Sequence, residues 1–244
     1  MAEGIKLGHL LAKAGICSRR KAEEHIKAGD VIVNGKTVCN VAHRTSEGDQ
    51  VLFKRRPVVL KRVVHILLNK PTKVVSTASD EQERKTVVDL VRLSPPARLF
   101  PVGRLDSYTT GAIILTNDGA FAQRLAHPRF KVEKRYHITL TTPLDEGHAA
   151  RLRAGVRLSD GFFKPDSLDA IENRPTEWIM SMHSGRNRVI RRFFKELGYT
   201  IKRLDRISYA GLSTSGLARG AWRFLDEKEV ARLSRLGGGS APSA

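Results

Sequence analysis

Asp106 sits where a carboxylate is able to do chemistry. The stretch around it reads Phe100-Pro101-Val102-Gly103-Arg104-Leu105-Asp106-Ser107-Tyr108-Thr109-Thr110-Gly111, and an apolar run from Ala112 to Leu115 follows, ending at Asn117-Asp118-Gly119. Such a run reads as a buried strand closed by a turn. The carboxylate is therefore expected on a loop held by a rigid sheet, where binding and catalytic groups concentrate. An aspartate at such a place is also the ordinary choice for a turn residue bonded to its own backbone, so the local pattern leaves both roles open. Two other stretches carry reactive side chains. Glu133-Lys134-Arg135-Tyr136-His137-Ile138-Thr139-Leu140 alternates, with Tyr136, Ile138 and Leu140 on one strand face and His137 and Thr139 on the other; a tyrosine there is more often core than chemistry. Arg186, Arg188, Arg191 and Arg192 crowd the passage from a strand over residues 178–182 into a helix whose inner face is Ile190, Phe194 and Leu197 and whose end is Gly198. Arginines at such a junction form a phosphate-binding edge.

The charge balance narrows the partner. Lys and Arg total 43 against 25 for Asp and Glu, a formal +18, and an excess of that size points to a polyanion, nucleic acid before membrane. No stretch approaches a membrane span, and Met1-Ala2-Glu3-Gly4 lacks the regions of a signal peptide, so a cytoplasmic protein is expected. Cys17 and Cys39 have neither metal-ligand nor CxxC spacing and read as small, partly buried side chains. No metal and no cofactor are expected.

The elements that must position these groups follow from periodicity. Leu7, Leu10, Leu11 and Ala14 predict a helix stopped at Gly15, and Ser18 caps a second one ending at Gly29, with Arg19, Arg20, Lys21 and Lys27 outward. Asn34-Gly35 between β-branched runs signals a hairpin, and residues 44–53 give a turn and a strand. A basic connector leads to a boundary near residue 60 and a strand from His65. Residues 80–85 are expected to be a mobile loop, Val87, Val88 and Val91 a short helix, Phe121, Ala122 and Leu125 a helix, residues 144–156 another, and residues 199–225 a set of short strands. Gly237 to Ala244 reads as a flexible tail.

Taken together these motifs carry a resemblance. Residues 5–53, with Ser18-Arg19-Arg20 and Val33-Asn34-Gly35-Lys36, closely resemble the S-four-type RNA-binding module, which implies structured RNA gripped through phosphates by Arg19, Arg20, Lys21 and Lys36. A DNA-binding helix-turn-helix shares the basic second helix; the hairpin argues against it. The remainder resembles the bacterial rRNA pseudouridine synthases of the RsuA and RluB type. Gly103-Arg104-Leu105-Asp106 with Thr109-Thr110-Gly111 matches that family's first motif, Glu133-Lys134-Arg135-Tyr136 its second and Gly185-Arg186-Asn187-Arg188-Val189-Ile190-Arg191-Arg192 its third. Ala112, Ser184 and Val189 depart from the usual residues.

The resemblance implies an α+β chain: an RNA-binding domain with its basic linker over residues 1–60, then a catalytic domain over residues 61–236 built on a mixed, largely antiparallel sheet. It implies isomerisation of a specific uridine in ribosomal RNA by a monomer, with no cofactor. In this reading Asp106 is the catalytic carboxylate and Arg191 its hydrogen-bonded partner. Tyr136 stacks on the extruded uracil, Ile190 packs the pocket wall, Arg104 supports the displaced RNA, and Arg186 and Arg188 meet phosphates. Whether the carboxylate attacks the ribose C1', attacks the uracil C6 or first helps remove a ribose proton stays open. The stretch Gly216 to Leu225 looks more like the large-subunit (23S) enzymes than the small-subunit (16S) one. The rival readings are a non-catalytic ribosome-assembly protein with a vestigial Asp106, and a DNA-binding regulator.

Overall fold

The computed structural model describes residues 4–236; the expected tail at residues 237–244 lies outside the described residues. Contacts divide the chain into two compact units, the first running up to Val64 with Leu93–Arg98 and Asn117–Gly119 added, the second holding the rest.

In the first unit β1 (Ile5–Lys6) leads into α1 (Leu7–Lys13) and α2 (Arg19–Lys27). Ser18 Oγ accepts the Lys21 backbone N–H at 3.2 Å and so caps α2. β2 (Val31–Val33) and β3 (Lys36–Thr37) form the expected hairpin, and Asn34 and Gly35 both take the left-handed conformation, at φ 49° and 78°, that a tight two-residue turn requires. β4 (Arg44–Thr45) pairs with β1, while β5 (Val51–Phe53) pairs with β2 and with β6 (Arg56–Pro57). Leu7, Leu11, Cys17, Ala22, Ile26, Val31, Val33 and Val51 make the core. Cys39, unlike Cys17, is exposed.

The second unit runs β7 (His65–Lys70), β8 (Phe100–Val102), β9 (Thr110–Thr116), α3 (Gly119–Ala126), β10 (Lys134–Leu140), α4 (Glu146–Ala154), β11 (Val156–Leu158), β12 (Gly161–Phe163), β13 (Ser167–Ile171), β14 (Arg174–Met182), α5 (Val189–Lys195), β15 (Ile201–Tyr209), β16 (Leu212–Ser213), β17 (Trp222–Phe224) and α6 (Glu227–Arg235). Its nine-stranded sheet has the order β13-β14-β10-β15-β9-β7-β17, with β16 on β15 and β8 on β9. Every pairing in it is antiparallel except β9 with β15. This is the α+β class the motifs implied. β9 is buried from Gly111 to Thr116, which is why it reads as a continuous apolar run. Ala112 and Ile114 pack with Phe121 and Leu125 of α3 and Leu233 of α6.

Two local expectations, the short helix near Val87 and the wholly short strands after Tyr199, need correction. Residues 87–91 form a turn closed by the Val91 N–H on the Val88 carbonyl at 3.0 Å, with the Val87 N–H taken by the Val75 carbonyl and Asp89 accepting both the N–H and the hydroxyl of Thr86. The Asp80 carboxylate organises the polar loop, accepting the N–H groups of Gln82 and Arg84 and the Arg84 guanidinium. The segment after Tyr199 contains the nine-residue strand β15 at the centre of the sheet, not only short strands. α6, closed by a reciprocal Asp226–Glu229 cap, was not legible in the periodicity as read.

Gly111 fixes the parallel junction. Its φ is +104°, and a Cβ there would lie 2.2 Å from the Arg206 carbonyl oxygen and 2.6 Å from Asp205 Oδ1. Gly111→Ala is therefore expected to lower the unfolding free energy by ~2 kcal/mol or more through backbone strain and clash, measured as a lower urea midpoint at constant slope.

Candidate active site

Asp106 lies on the loop that enters β9, and the loop backbone is held from several directions. Lys70, at the end of β7 and fully buried, donates its ammonium hydrogens to the carbonyls of Pro71, Ser107 and Thr109 at 3.0, 3.0 and 2.8 Å. The hydroxyl of buried Ser76 bonds both the N–H and the carbonyl of Leu105. The Lys73 N–H reaches the Ser107 carbonyl at 2.9 Å, and the Thr109 N–H closes a turn on the Asp106 carbonyl at 3.0 Å. Burial pushes the Lys70 pKa down to about 8, opposed by the nearby Asp106 charge and reinforced by Arg206.

The Asp106 carboxylate faces a cavity of about 260 Å³ lined by Gly103, Arg104, Lys134, Tyr136, Ile190, Arg191, Arg206 and Tyr209 among others. Arg191 Nε approaches Asp106 Oδ2 at 3.6 Å, with the two side chains 23% and 37% exposed. This is an ion pair longer than a hydrogen bond, so the hydrogen-bonded contact expected between them is not formed in this state. Both groups remain reachable from solvent. Tyr136 lies across from Arg206 of β15 and Met180 of β14, and its side chain is buried in the cavity wall. Ile190, on α5, is buried and Arg104 exposed.

Arg206 and Lys134 are further cations of this wall that periodicity did not single out. Arg206 is buried, donates Nε–H to the Ala112 carbonyl at 2.7 Å and lies 4.5 Å from the Tyr209 ring centre, while its Nη2 lacks a partner. Lys134 donates to the carbonyls of Val132 and His183, and burial lowers its pKa to about 8, with Arg206 adding to the shift. Burial also lifts the Tyr209 hydroxyl to about 12; it donates to the Leu125 carbonyl.

The arginines at the entrance to α5 divide their work. Arg186 and Arg192 both grip Asp160 in the β11–β12 hairpin, Arg186 also reaching the carbonyls of Gly161 and Phe162. Arg192, then Arg186, hold the Asp160 carboxyl well below its usual range. Arg191 turns to Asp106. Arg188, at φ 45° and exposed, makes no ion pair with the described residues.

This geometry has known counterparts. A family model described as RNA pseudouridylate synthase matches residues 64–196, and one for the S4 domain matches residues 8–51. The chain belongs to the RNA pseudouridine synthase family. It is 38% identical to the ribosomal large subunit pseudouridine synthase B of Bacillus subtilis, over 95% of this chain and 96% of that one. It is 37% identical to an uncharacterized RNA pseudouridine synthase of Aquifex aeolicus, over 96% and 95%. The dual-specificity RNA pseudouridine synthase RluF of Escherichia coli is 34% identical, over 95% of this chain and 79% of that one. A crystal structure of a pseudouridylate synthase superposes with a TM-score of 0.68 at 26% identity, covering 94% of this chain and all of that one.

The chain is thus an isomerase that acts on RNA and carries an S4 RNA-binding domain. In that domain Arg19, Arg20 and Lys21 open α2 and Lys36 begins β3, all exposed. Arg19 Nη2 lies 2.9 Å from His9 Nε2. No described helix is long and apolar enough to cross a membrane.

Removing the buried ammonium leaves carbonyls without a donor, so Lys70→Met is expected to cost ~2–4 kcal/mol in chemical denaturation. The pH dependence has a definite sign. Folded Lys70 gives up its proton at about 8 and the unfolded chain near 10.5. The unfolded state therefore binds more protons between those values, and stability gains from Lys70 as pH rises through that window. Activity follows the opposite course, because a neutral amine has one hydrogen too few for its carbonyl partners. Pseudouridine formation is expected to fall above pH about 8 while the chain stays folded, read from a pH–rate profile beside a pH–denaturation series.

Proposed function

We propose that this chain converts a uridine of ribosomal RNA, in the large subunit, to pseudouridine, with Asp106 as the catalytic carboxylate. The observation that carries the reading is a solvent-reachable carboxylate on an immobilised turn, faced by the Arg191 guanidinium and opening on a pocket walled by Tyr136. The large-subunit assignment is supported by the name of one relative, the B. subtilis large-subunit enzyme, at 38% identity, and by the stretch from Gly216 to Leu225.

The reaction breaks the bond between uracil N1 and ribose C1', turns the base and joins C5 to C1'; the C5 proton is released to solvent and N1 takes up a proton, so the product is an isomer of the substrate. Nothing is oxidised or reduced, so side chains suffice. Asp106 acts on the nucleotide through its carboxylate, which the Arg191 guanidinium faces. Their 3.6 Å separation closes to a hydrogen bond when substrate excludes water. The uridine must be extruded from its stack to reach the carboxylate, at a cost of a few kcal/mol. Tyr136 stacks on the extruded uracil, Ile190 closes the wall and Arg104 occupies the space left in the RNA. Arg188 meets a phosphate at the rim, and Arg186, engaged by Asp160, holds the rim in shape. The S4 domain grips structured RNA through Arg19, Arg20, Lys21 and Lys36.

Release of tritium from ribosomal RNA transcripts labelled at uridine C5 tests the reading. Asp106→Asn is expected to lose activity on the order of a thousandfold or more while melting as the wild type does, since the side chain is part-exposed. Tyr136→Phe separates its roles: activity near wild type assigns stacking, and a comparable loss assigns the hydroxyl to C5 proton removal. Arg188→Ala should flatten the salt dependence of RNA binding by about one unit of slope.

A further inference from the structure

A second, larger cavity of about 1190 Å³ opens beside the first, and the two share Asp106, Arg188, Arg191 and Leu204 in their walls. β10 serves both through its alternation, giving Tyr136 to one and His137 and Thr139 to the other. Tyr108, two residues past Asp106, lines the larger one and is 68% exposed. Of the exposed aromatic side chains Tyr108, Phe162 and Phe224, only Tyr108 lines either of these cavities. Its backbone does not share that freedom, because the carbonyls on both sides of it are held by Lys70 Nζ at 3.0 and 2.8 Å. The ring therefore projects into solvent from a fixed turn.

The cations of this groove fall into two sets. Arg174 and Arg219 are engaged by Glu177 and Asp205. Lys202, Arg203 and Arg188 are exposed and form no ion pair with the described residues. An exposed aromatic on a rigid turn, beside unneutralised cations, is the composition of a site for single-stranded nucleic acid: bases stack on the ring and phosphates follow the charge. Geometry adds a second reason. A uridine seated at Asp106 remains covalently joined to its neighbours, and these must leave the pocket through an opening that shares its wall.

We propose that this groove holds the RNA strand adjoining the target uridine, with the Tyr108 ring stacked on the neighbouring base and Lys202 and Arg203 against its phosphates. The assignment rests on the reading of Asp106 as the reacting site. Stacking tolerates any base, so Tyr108 adds affinity and holds the extruded segment in place without choosing the sequence. A ring carried on a fixed backbone leaves only its own side-chain torsions to be ordered on binding.

The test uses the full chain and a fluorescein-labelled oligouridine of about ten nucleotides. Tyr108→Ala is expected to weaken binding about tenfold and Tyr108→Phe by less than about twofold, as loss of one base stack requires. On a ribose-phosphate strand of equal length lacking bases, wild type and Tyr108→Ala should bind alike. The pair Lys202→Ala with Arg203→Ala should reduce the salt slope by about two units. Because Tyr108 is exposed, unchanged melting of the variants excludes a folding effect. Equal affinity of wild type and Tyr108→Ala for oligouridine overturns the proposal, as does an equal loss on the base-free strand. Tritium release by the wild type from rRNA transcripts is run alongside. Normal release without Tyr108 dependence removes the groove alone, whereas Tyr108-dependent binding without release supports the groove and places the fault in the catalytic reading.

Discussion

A buried ammonium group is the constraint on which the site depends. Lys70 ends β7, pairs in register with Gly111 and places its charge beneath the turn that carries Asp106. Burying that charge is unfavourable, as its lowered pKa records, and it persists because carbonyl oxygens surround it. The same bonds immobilise Ser107 and Thr109, while Ser76 immobilises Leu105. The turn is thereby fixed from beneath, leaving the side chains of Asp106 and Tyr108 outward. A carboxylate on a rigid backbone keeps its geometry without help from substrate.

The second constraint is charge allocation among closely spaced arginines. Asp160 draws Arg186 and Arg192 into the scaffold, fixing the approach to α5, and so leaves Arg191 to face Asp106 and Arg188 to face solvent. One acidic hairpin residue thus decides which of these cations are held in the scaffold and which stay open to the cavity and to solvent. On the sheet, Asp205 plays a similar part, accepting from Thr110 and Arg219 at the parallel junction.

Much of this was legible in the sequence because it is local. Ser18 capping α2, Asn34-Gly35 turning the hairpin and the alternation of β10 each depend on residues within a few positions. The motif stretches also identified the Asp106, Tyr136 and Arg191 neighbourhood, which the fold brings into one cavity. What escaped depends on distant partners. Lys70 looks like a surface lysine until its strand pairs with β9, and Arg206 like a charge on a short strand until β15 proves central. The valines at 87, 88 and 91 have helical spacing, yet they close only a single turn, the Val91 N–H bonding the Val88 carbonyl. Tyr108 carried no signal of its own in the sequence; only the fold sets it on the wall of the larger cavity.

The most direct test of the account is carbodiimide mapping of pseudouridine across both large ribosomal RNAs, in cells carrying the wild-type chain, the Asp106→Asn form or neither. The account predicts a large-subunit site present with the wild type and missing from the other two. Restoration of that site by the Asn form would contradict the role given to Asp106, and a map that is the same in all three would contradict the proposed substrate.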